Sequence, residues 1–182
     1  MSTITEIHRG RQALIAGQAR SALAYFHRAA ELDPDFLYFS TLPQSARTYA
    51  GRALYRLGEL SEARRAFELA VARFEDDQMA RLYLGLTLVR EGEEKKGLRQ
   101  AVAGLNGIHD WLEHTEAHLP QGIFWDPARE IRSEIEKLIK QTTEESMTCS
   151  EFIQAAEWIG ERMEREIDLA RSDEQISRNR DG

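Results

Sequence analysis

The chain of 182 residues is 42% hydrophobic, has a formal net charge of -7 and contains one cysteine, Cys149. Its acidic balance argues against nucleic acid as a partner, because phosphate neutralisation needs a strongly basic surface. One cysteine cannot form an internal disulfide, and Met1 to Gln12 lacks the apolar run of a secretory signal or membrane span. We therefore expect a cytoplasmic protein with no nucleic-acid partner and no membrane association.

The charge is divided unevenly along the chain. Residues 1–100 contain 15 Lys and Arg against 13 Asp and Glu, a net charge of +2. Residues 101–182 hold the other 9 basic and 18 acidic residues and therefore carry a net charge of -9. The two parts therefore differ in electrostatic character.

Glycines recur in pairs seven residues apart in the first part of the chain. A glycine can adopt the left-handed conformation that closes a helix, so the second glycine of each pair predicts a tight turn between two helices. The second and third turn glycines lie 34 residues apart, a spacing typical of stacked helix pairs. The pairs are Gly10 and Gly17, Gly51 and Gly58, and Gly85 and Gly92.

Small and aromatic residues follow the first two turn glycines at offsets of five, nine and twelve. These offsets place the three side chains on one face of a helix, where small residues allow a neighbouring helix to approach. The first set is Ala22, Phe26 and Ala29, and the second is Ala63, Phe67 and Ala70. After the third turn glycine, the corresponding positions hold Gly97, Ala101 and Gly104.

The segments GQARSALAYFHRAAELDP and LGELSEARRAFELAVARFED resemble the second helix of the tetratricopeptide repeat (TPR) family. The third unit, LGLTLVREGEEKKGLRQAVAGL, keeps the glycines but is degenerate. The resemblance covers residues 3 to about 109. It implies an all-α, helical-repeat solenoid of about three TPR-like helix pairs and a protein-interaction role, with repeats at about 3–35, 44–77 and 78–109.

Seven extra residues separate the first two units, within the stretch from Asp35 to Ser45. The inserted residues are apolar, and they either wedge between the two units or form a lip of a binding site. Thr41 to Gln44 has the pattern of a capping box with proline in the first turn, and it predicts the start of the next helix. The apolar residues of the insertion are Phe36, Leu37, Tyr38 and Phe39.

Beyond the repeats the pattern predicts further helices. Asn106-Gly107 indicates the end of a helix, and a short helix is expected to follow over 110–119. Asp126 can then cap a helix that has Pro127 in its first turn and extends to about Gln141. Its apolar stripe consists of Ile131, Ile135, Leu138 and Ile139.

The last helix is predicted from a capping box at Thr148 to Glu151. Its apolar positions recur at helical spacing, whereas residues 173–182 are polar and predict a disordered tail. Residues 110–172 are expected to cap the solenoid. Alternatives are that the last helix pairs with a second copy or a partner, or fills the groove. The apolar positions are Phe152, Ala156, Ile159, Met163, Ile167 and Ala170.

A partner-binding site is predicted on the first helix of each pair, which lines the concave side of such stacks. Arginines recur there, and successive guanidinium groups on one face can bind carboxylates. The favoured partner is a protein or peptide, and the arginines suggest an acidic segment; the alternative is that the arginines are solvated or pair with Glu. The candidate residues are Arg11, Leu14, Arg52, Tyr55, Arg56, Leu86 and Arg90, with Tyr38 and Phe39 from the insertion.

Little in the sequence indicates catalysis or metal binding. His109, His114 and His118 are close together and make a metal-binding protein one alternative, but the pattern lacks the glutamate of the zinc-protease motif. Phosphate loops and nucleophile elbows are missing. We therefore expect a non-enzymatic scaffold or adaptor without cofactors. A self-associating structural protein, dimerising through the last helix, is a further alternative.

Overall fold

The computed structural model describes residues 2–38, 41–118 and 125–180. Within these ranges the chain forms eight helices and one two-stranded sheet, which confirms an all-α protein. Of the described helices, none combines the length and the apolar character needed to cross a bilayer. The elements are α1 (Thr3–Ile15), α2 (Ala19–Leu32), β1 (Leu37–Tyr38), β2 (Gln44–Ser45), α3 (Ala46–Leu57), α4 (Leu60–Arg73), α5 (Gln78–Arg90), α6 (Glu94–His118), α7 (Glu130–Thr143) and α8 (Cys149–Arg180).

The chain divides into two compact units, Met1–Gly104 and Leu105–Gly182, and the boundary falls within α6. In the first unit each helix contacts the next one along the chain from α1 to α5. In addition, α3 contacts both α1 and α5. In the second unit, α7 packs against α8.

The turn glycines close their helices as the sequence predicts. Gly17, Gly58 and Gly92 have φ values of +76°, +79° and +92°, in the left-handed region. At each turn the glycine N–H donates to the carbonyl three residues back, and the next N–H donates to the carbonyl five residues before it. This pair of bonds satisfies carbonyls that the end of a helix leaves without partners.

The first glycine of each early pair makes room for a phenylalanine ring. A Cβ atom added to Gly10 would lie 2.3 Å from the ring of Phe26, and one added to Gly51 would lie 2.6 Å from the ring of Phe67. Both rings are completely buried. The spacing of glycine and phenylalanine therefore sets how closely the two helices of a pair approach.

The same two rings also contact the following helix pair. Phe26 stacks on Tyr49 with a centroid distance of 5.1 Å, and Phe67 stacks on Tyr83 with a centroid distance of 6.0 Å. Tyr49 and Tyr83 both lie nine residues before a turn glycine. Each of the two phenylalanines therefore joins its own helix pair to the next one.

The third helix pair packs without a phenylalanine. A Cβ atom at Gly85 would lie 2.3 Å from the backbone nitrogen of Ala101, and one at Gly97 would lie 2.6 Å from the carbonyl oxygen of Gly85. At Gly104 a Cβ atom would lie 2.5 Å from the backbone nitrogen of Leu82. The residues that make this unit look degenerate in sequence therefore allow α5 and α6 to pack backbone against backbone.

The insertion forms a short hairpin. Leu37 pairs with Ser45 and Tyr38 pairs with Gln44, in antiparallel register. The prediction that Thr41 to Gln44 begins a helix is wrong, because pairing holds Gln44 and Ser45 in extended conformation. Ser45 is the N-cap of α3, and its side chain accepts from the backbone N–H of Thr48.

Asp77 connects the starts of two helices. It is the N-cap of α5, and its Oδ1 accepts from the backbone N–H of Ala80 at 3.0 Å. Its Oδ2 accepts from the backbone N–H of Ser45 at 2.9 Å and from the hydroxyl of Thr48. The buried carboxylate thus ties the beginning of α3 to the beginning of α5.

The predicted helix end at Asn106-Gly107 is wrong, because α6 runs from Glu94 to His118 without a break. Leu105, Ile108 and Leu112 are completely buried at helical spacing. Burying one such side chain contributes about 1.5–3 kcal/mol, which exceeds the cost of about 1 kcal/mol for a glycine inside a helix.

Asp126 contributes to the start of α7, although it is not the N-cap residue. Its carboxylate accepts the backbone N–H groups of Ile131 and Arg132 at 3.0 and 3.1 Å. The helix begins at Glu130, so Pro127 lies outside it rather than in its first turn. Three of the four predicted stripe residues, Ile131, Ile135 and Leu138, are buried, whereas Ile139 is only partly buried.

The capping box of the last helix is confirmed. Thr148 Oγ1 accepts from the backbone N–H of Glu151 at 3.2 Å, and Glu151 Oε2 accepts from the backbone N–H of Thr148 at 2.8 Å. All six predicted apolar positions of α8 are buried. The tail predicted to be disordered from residue 173 is instead helical to Arg180, because adding a residue to a formed helix costs far less than starting one.

Replacing Phe67 by alanine should lower the free energy of unfolding by about 3–5 kcal/mol, because it leaves a cavity and removes the stack on Tyr83. Leu69 on the same helix is 49% exposed, so Leu69→Ala should change the same quantity by no more than about 0.5 kcal/mol. Urea denaturation followed by circular dichroism measures both. Equal losses in the two variants would contradict the assigned packing.

Candidate functional site

The structure separates the predicted binding residues into a buried and an exposed group. Arg56 and Arg90 are exposed near the ends of α3 and α5. Phe39 lies outside the described residues. The buried members are Arg11, Leu14, Tyr38, Arg52, Tyr55 and Leu86.

Arg52 is only 3% exposed and lies among polar and aromatic groups. Its Nη1 donates to Oε1 of Gln44 at 2.9 Å. The guanidinium carbon lies 5.1 Å from the ring centroid of Tyr83 and 5.8 Å from that of Tyr49. Aromatic faces attract cations, so these rings favour the charged guanidinium at this position.

Sequence reasoning did not identify Gln44 as part of the site. Gln44 is completely buried in β2, and the register of the hairpin brings it to Arg52, eight residues further along the chain. The only available signal was that Gln44 belongs to the unusual insertion. Its orientation depends on strand pairing with Tyr38, which a helical repeat pattern does not predict.

Arg56 and Arg90 make the same contact in successive helix pairs. Arg56 Nη1 donates to the carbonyl oxygen of Leu14 at 3.5 Å, and Arg90 Nη1 donates to that of Tyr55 at 3.3 Å. Each of these carbonyls lies three residues before a turn glycine. Carbonyls at a helix C-terminus carry partial negative charge, so each guanidinium complements the end of the first helix in the preceding pair.

Two arginines and two tyrosines of α3 and α5 form a row of successive contacts. The guanidinium carbon of Arg90 lies 4.6 Å from the ring centroid of Tyr55. Tyr55 in turn meets Tyr83 edge to face, with the ring centroids 5.4 Å apart, and Tyr83 also contacts Arg52. The two helices thus hold cationic groups at fixed positions through their aromatic neighbours.

The inserted hairpin contacts two parts of the first unit. Phe36 is half-buried and packs against the hydrophobic core, as the wedge interpretation predicts. Tyr38 meets the ring of His8 on α1 edge to face at 5.8 Å. The hairpin therefore reaches a first helix as well as the core between helices.

In the predicted histidine group, His109 contacts a carboxylate of α7. His109 Nε2 lies 2.9 Å from Oε1 of Glu136, and His114 is exposed, whereas the side chain of His118 is not described. Glu113, a possible oxygen ligand, accepts from Arg129 at 2.7 Å, and this bond lowers the pKa of the Glu113 carboxyl. In the described parts of the chain, no three His, Cys, Asp or Glu side chains are grouped to hold a metal ion.

A buried polar network in the second unit was not predicted. Arg132 donates to the Asp126 carboxylate at 3.2 Å and to the Asp126 carbonyl oxygen at 2.7 Å. Glu166 accepts from the backbone N–H of Asp126 at 2.7 Å and from Arg162 at 2.6 Å. The members lie up to 40 residues apart, so no local motif could identify them. Their hydrogen bonds support the turn before α7.

Comparison of the chain with protein-family models, curated proteins and solved structures finds no match. A functional assignment therefore depends on the contacts described above.

Charge reversal should affect stability very differently at Arg52 and Arg56. Arg52→Glu should lower the free energy of unfolding by at least about 3 kcal/mol, because it puts a carboxylate beside the Gln44 oxygen in a buried position. Arg56→Glu should lower it by less than about 1 kcal/mol, because the side chain is exposed. Chemical denaturation of both variants tests whether Arg52 is buried and Arg56 exposed, and a stable Arg52→Glu protein would contradict the burial of Arg52.

Proposed function

We propose that the chain is a cytoplasmic, non-enzymatic scaffold or adaptor of the tetratricopeptide type. In this proposal, residues up to about 109 form a stack of three helix pairs. An acidic segment of a partner protein binds to arginines carried by the first helices. No cofactor takes part.

Recurring contacts support the repeat architecture. The stack of Phe26 on Tyr49 has its counterpart in the stack of Phe67 on Tyr83, one helix pair further on. The contacts of α3 with both α1 and α5 accord with first helices lying side by side. A row of neighbouring first helices offers one continuous surface to an extended or helical partner.

The observation that carries the functional proposal is the equivalent placement of Arg56 and Arg90. Both side chains are exposed, and both donate to a carbonyl at the C-terminus of the preceding first helix. A guanidinium has five N–H donors, so it can hold a carbonyl and still bind a carboxylate. Positions that are fixed before binding reduce the entropy lost when a partner is captured.

The double variant Arg56→Glu/Arg90→Glu should weaken binding of a twelve-residue peptide of alternating Glu and Ser by at least about tenfold. Isothermal titration calorimetry at low salt measures the affinity. The matched control is Arg20→Glu/Arg65→Glu, which changes two exposed arginines on second helices and gives the same net charge.

Equal weakening in both double variants would show that the peptide responds to net charge, and it would contradict the assigned surface. Absence of binding by the unaltered protein would contradict the acidic partner class.

Self-association through α8 stays a prediction, and sedimentation velocity over a range of protein concentrations tests it. The metal-binding alternative predicts stoichiometric metal in the purified protein.

A further inference from the structure

An open cavity of about 370 Å³ lies between α7 and α8 in the second unit. This volume is within the range of small-ligand sites. Its lining combines carboxylates, an amide and a large aromatic ring. The lining residues are Glu134, Glu151, Gln154, Ala155 and Trp158.

Trp158 is the unusual member of this lining. It is 43% exposed, whereas its neighbour Ile159 is completely buried. Trp158 therefore does not belong to the apolar face that α8 buries. Tryptophan is the side chain whose face attracts cations most strongly, and the attraction is larger where water is partly excluded.

Glu151 supplies a charge at a fixed position. Its Oε2 accepts from both the backbone N–H and the hydroxyl of Thr148, at 2.8 and 2.9 Å. The backbone hydrogen bond and then the hydroxyl bond lower the pKa of the Glu151 carboxyl, so it is ionised near neutral pH. The capping box thus orients a carboxylate at the edge of the cavity.

Glu134 supplies the second carboxylate from α7. Lys137 Nζ lies 3.1 Å from its Oε1, so this carboxylate already attracts an ammonium group of the same helix. The flexible, 59%-exposed side chain of Lys137 can exchange with another cation at little cost, because an exposed ion pair contributes little to stability. The net charge of -9 over residues 101–182 also favours a basic ligand.

We propose that this cavity binds a cationic side chain, the ammonium or guanidinium of a Lys- or Arg-containing partner segment. The cation lies over the indole of Trp158 and pairs with Glu134 and Glu151. The site goes beyond the function proposed above, because it selects a partner of the opposite charge from the one assigned to Arg56 and Arg90.

Titration of the full-length protein with an eight-residue peptide of alternating Arg and Ser tests the proposal. The indole N–H signals of the three tryptophans are followed by nuclear magnetic resonance, and Trp158→Phe assigns the relevant signal. We expect the Trp158 signal to move most. We also expect Trp158→Leu to weaken binding by about fivefold, the loss of a partly exposed cation–π contact.

The charge requirement is tested with Glu134→Gln/Glu151→Gln. Glutamine keeps the shape of both side chains and can replace glutamate in a capping box, so α8 should remain folded. The control is Glu144→Gln/Glu145→Gln, which makes the same change in net charge at exposed positions outside the cavity. We expect at least about tenfold weaker binding for the first double variant and less than about twofold for the control.

Three results would overturn the proposal. One is an equal loss of affinity in the two double variants, which indicates attraction by net charge alone. Another is an unmoved Trp158 signal at saturation with the basic peptide. The third is concentration-dependent association of the protein that Trp158→Leu abolishes, because a second copy of the chain would then occupy this surface.

Discussion

The arrangement of the first unit depends on a phenylalanine ring that is in contact with two helices at once. Phe67 fits against Gly51 within its own helix pair and stacks on Tyr83 of the next. Phe26 does the same one pair earlier. Since a ring can lie this close to a helix only where a side chain is missing, the glycine and the phenylalanine are needed together. Together they determine how closely the two helices of one pair approach each other and where the next pair lies.

The placement of the exposed arginines follows from this packing. When successive pairs stack in the same way, side chains at equal distances from the turn glycines meet equivalent groups. Arg56 and Arg90 therefore reach the carbonyls of Leu14 and Tyr55, which are equivalent positions of successive first helices. The surface proposed to bind a partner thus follows from these recurring contacts, in which the partial charge of each helix end attracts a guanidinium.

The second unit uses charged residues in two different ways. The carboxylates of Asp126 and Glu166 are buried and bonded to arginines and backbone N–H groups, and they hold the turn before α7. The carboxylates of Glu134 and Glu151 remain at the surface beside Trp158. Desolvation explains the difference, because a buried carboxylate must have its acceptor positions filled by the protein itself. Exposed carboxylates keep the ability to bind another molecule.

The sequence by itself determined the helical class, the glycine turns, the apolar faces and the capping box of α8, because each depends on residues within a few turns of one another. It misplaced the start of α3 and the stop within α6, where strand pairing and burial outweigh local preference. Only the tertiary structure decided that Arg52 is buried beside Gln44 while Arg56 is exposed. Both arginines occur on the same helix with the same chemistry, and their environments are set by residues on other elements. The cavity at Trp158 was likewise invisible in the sequence, since its lining comes from two helices that meet only after folding.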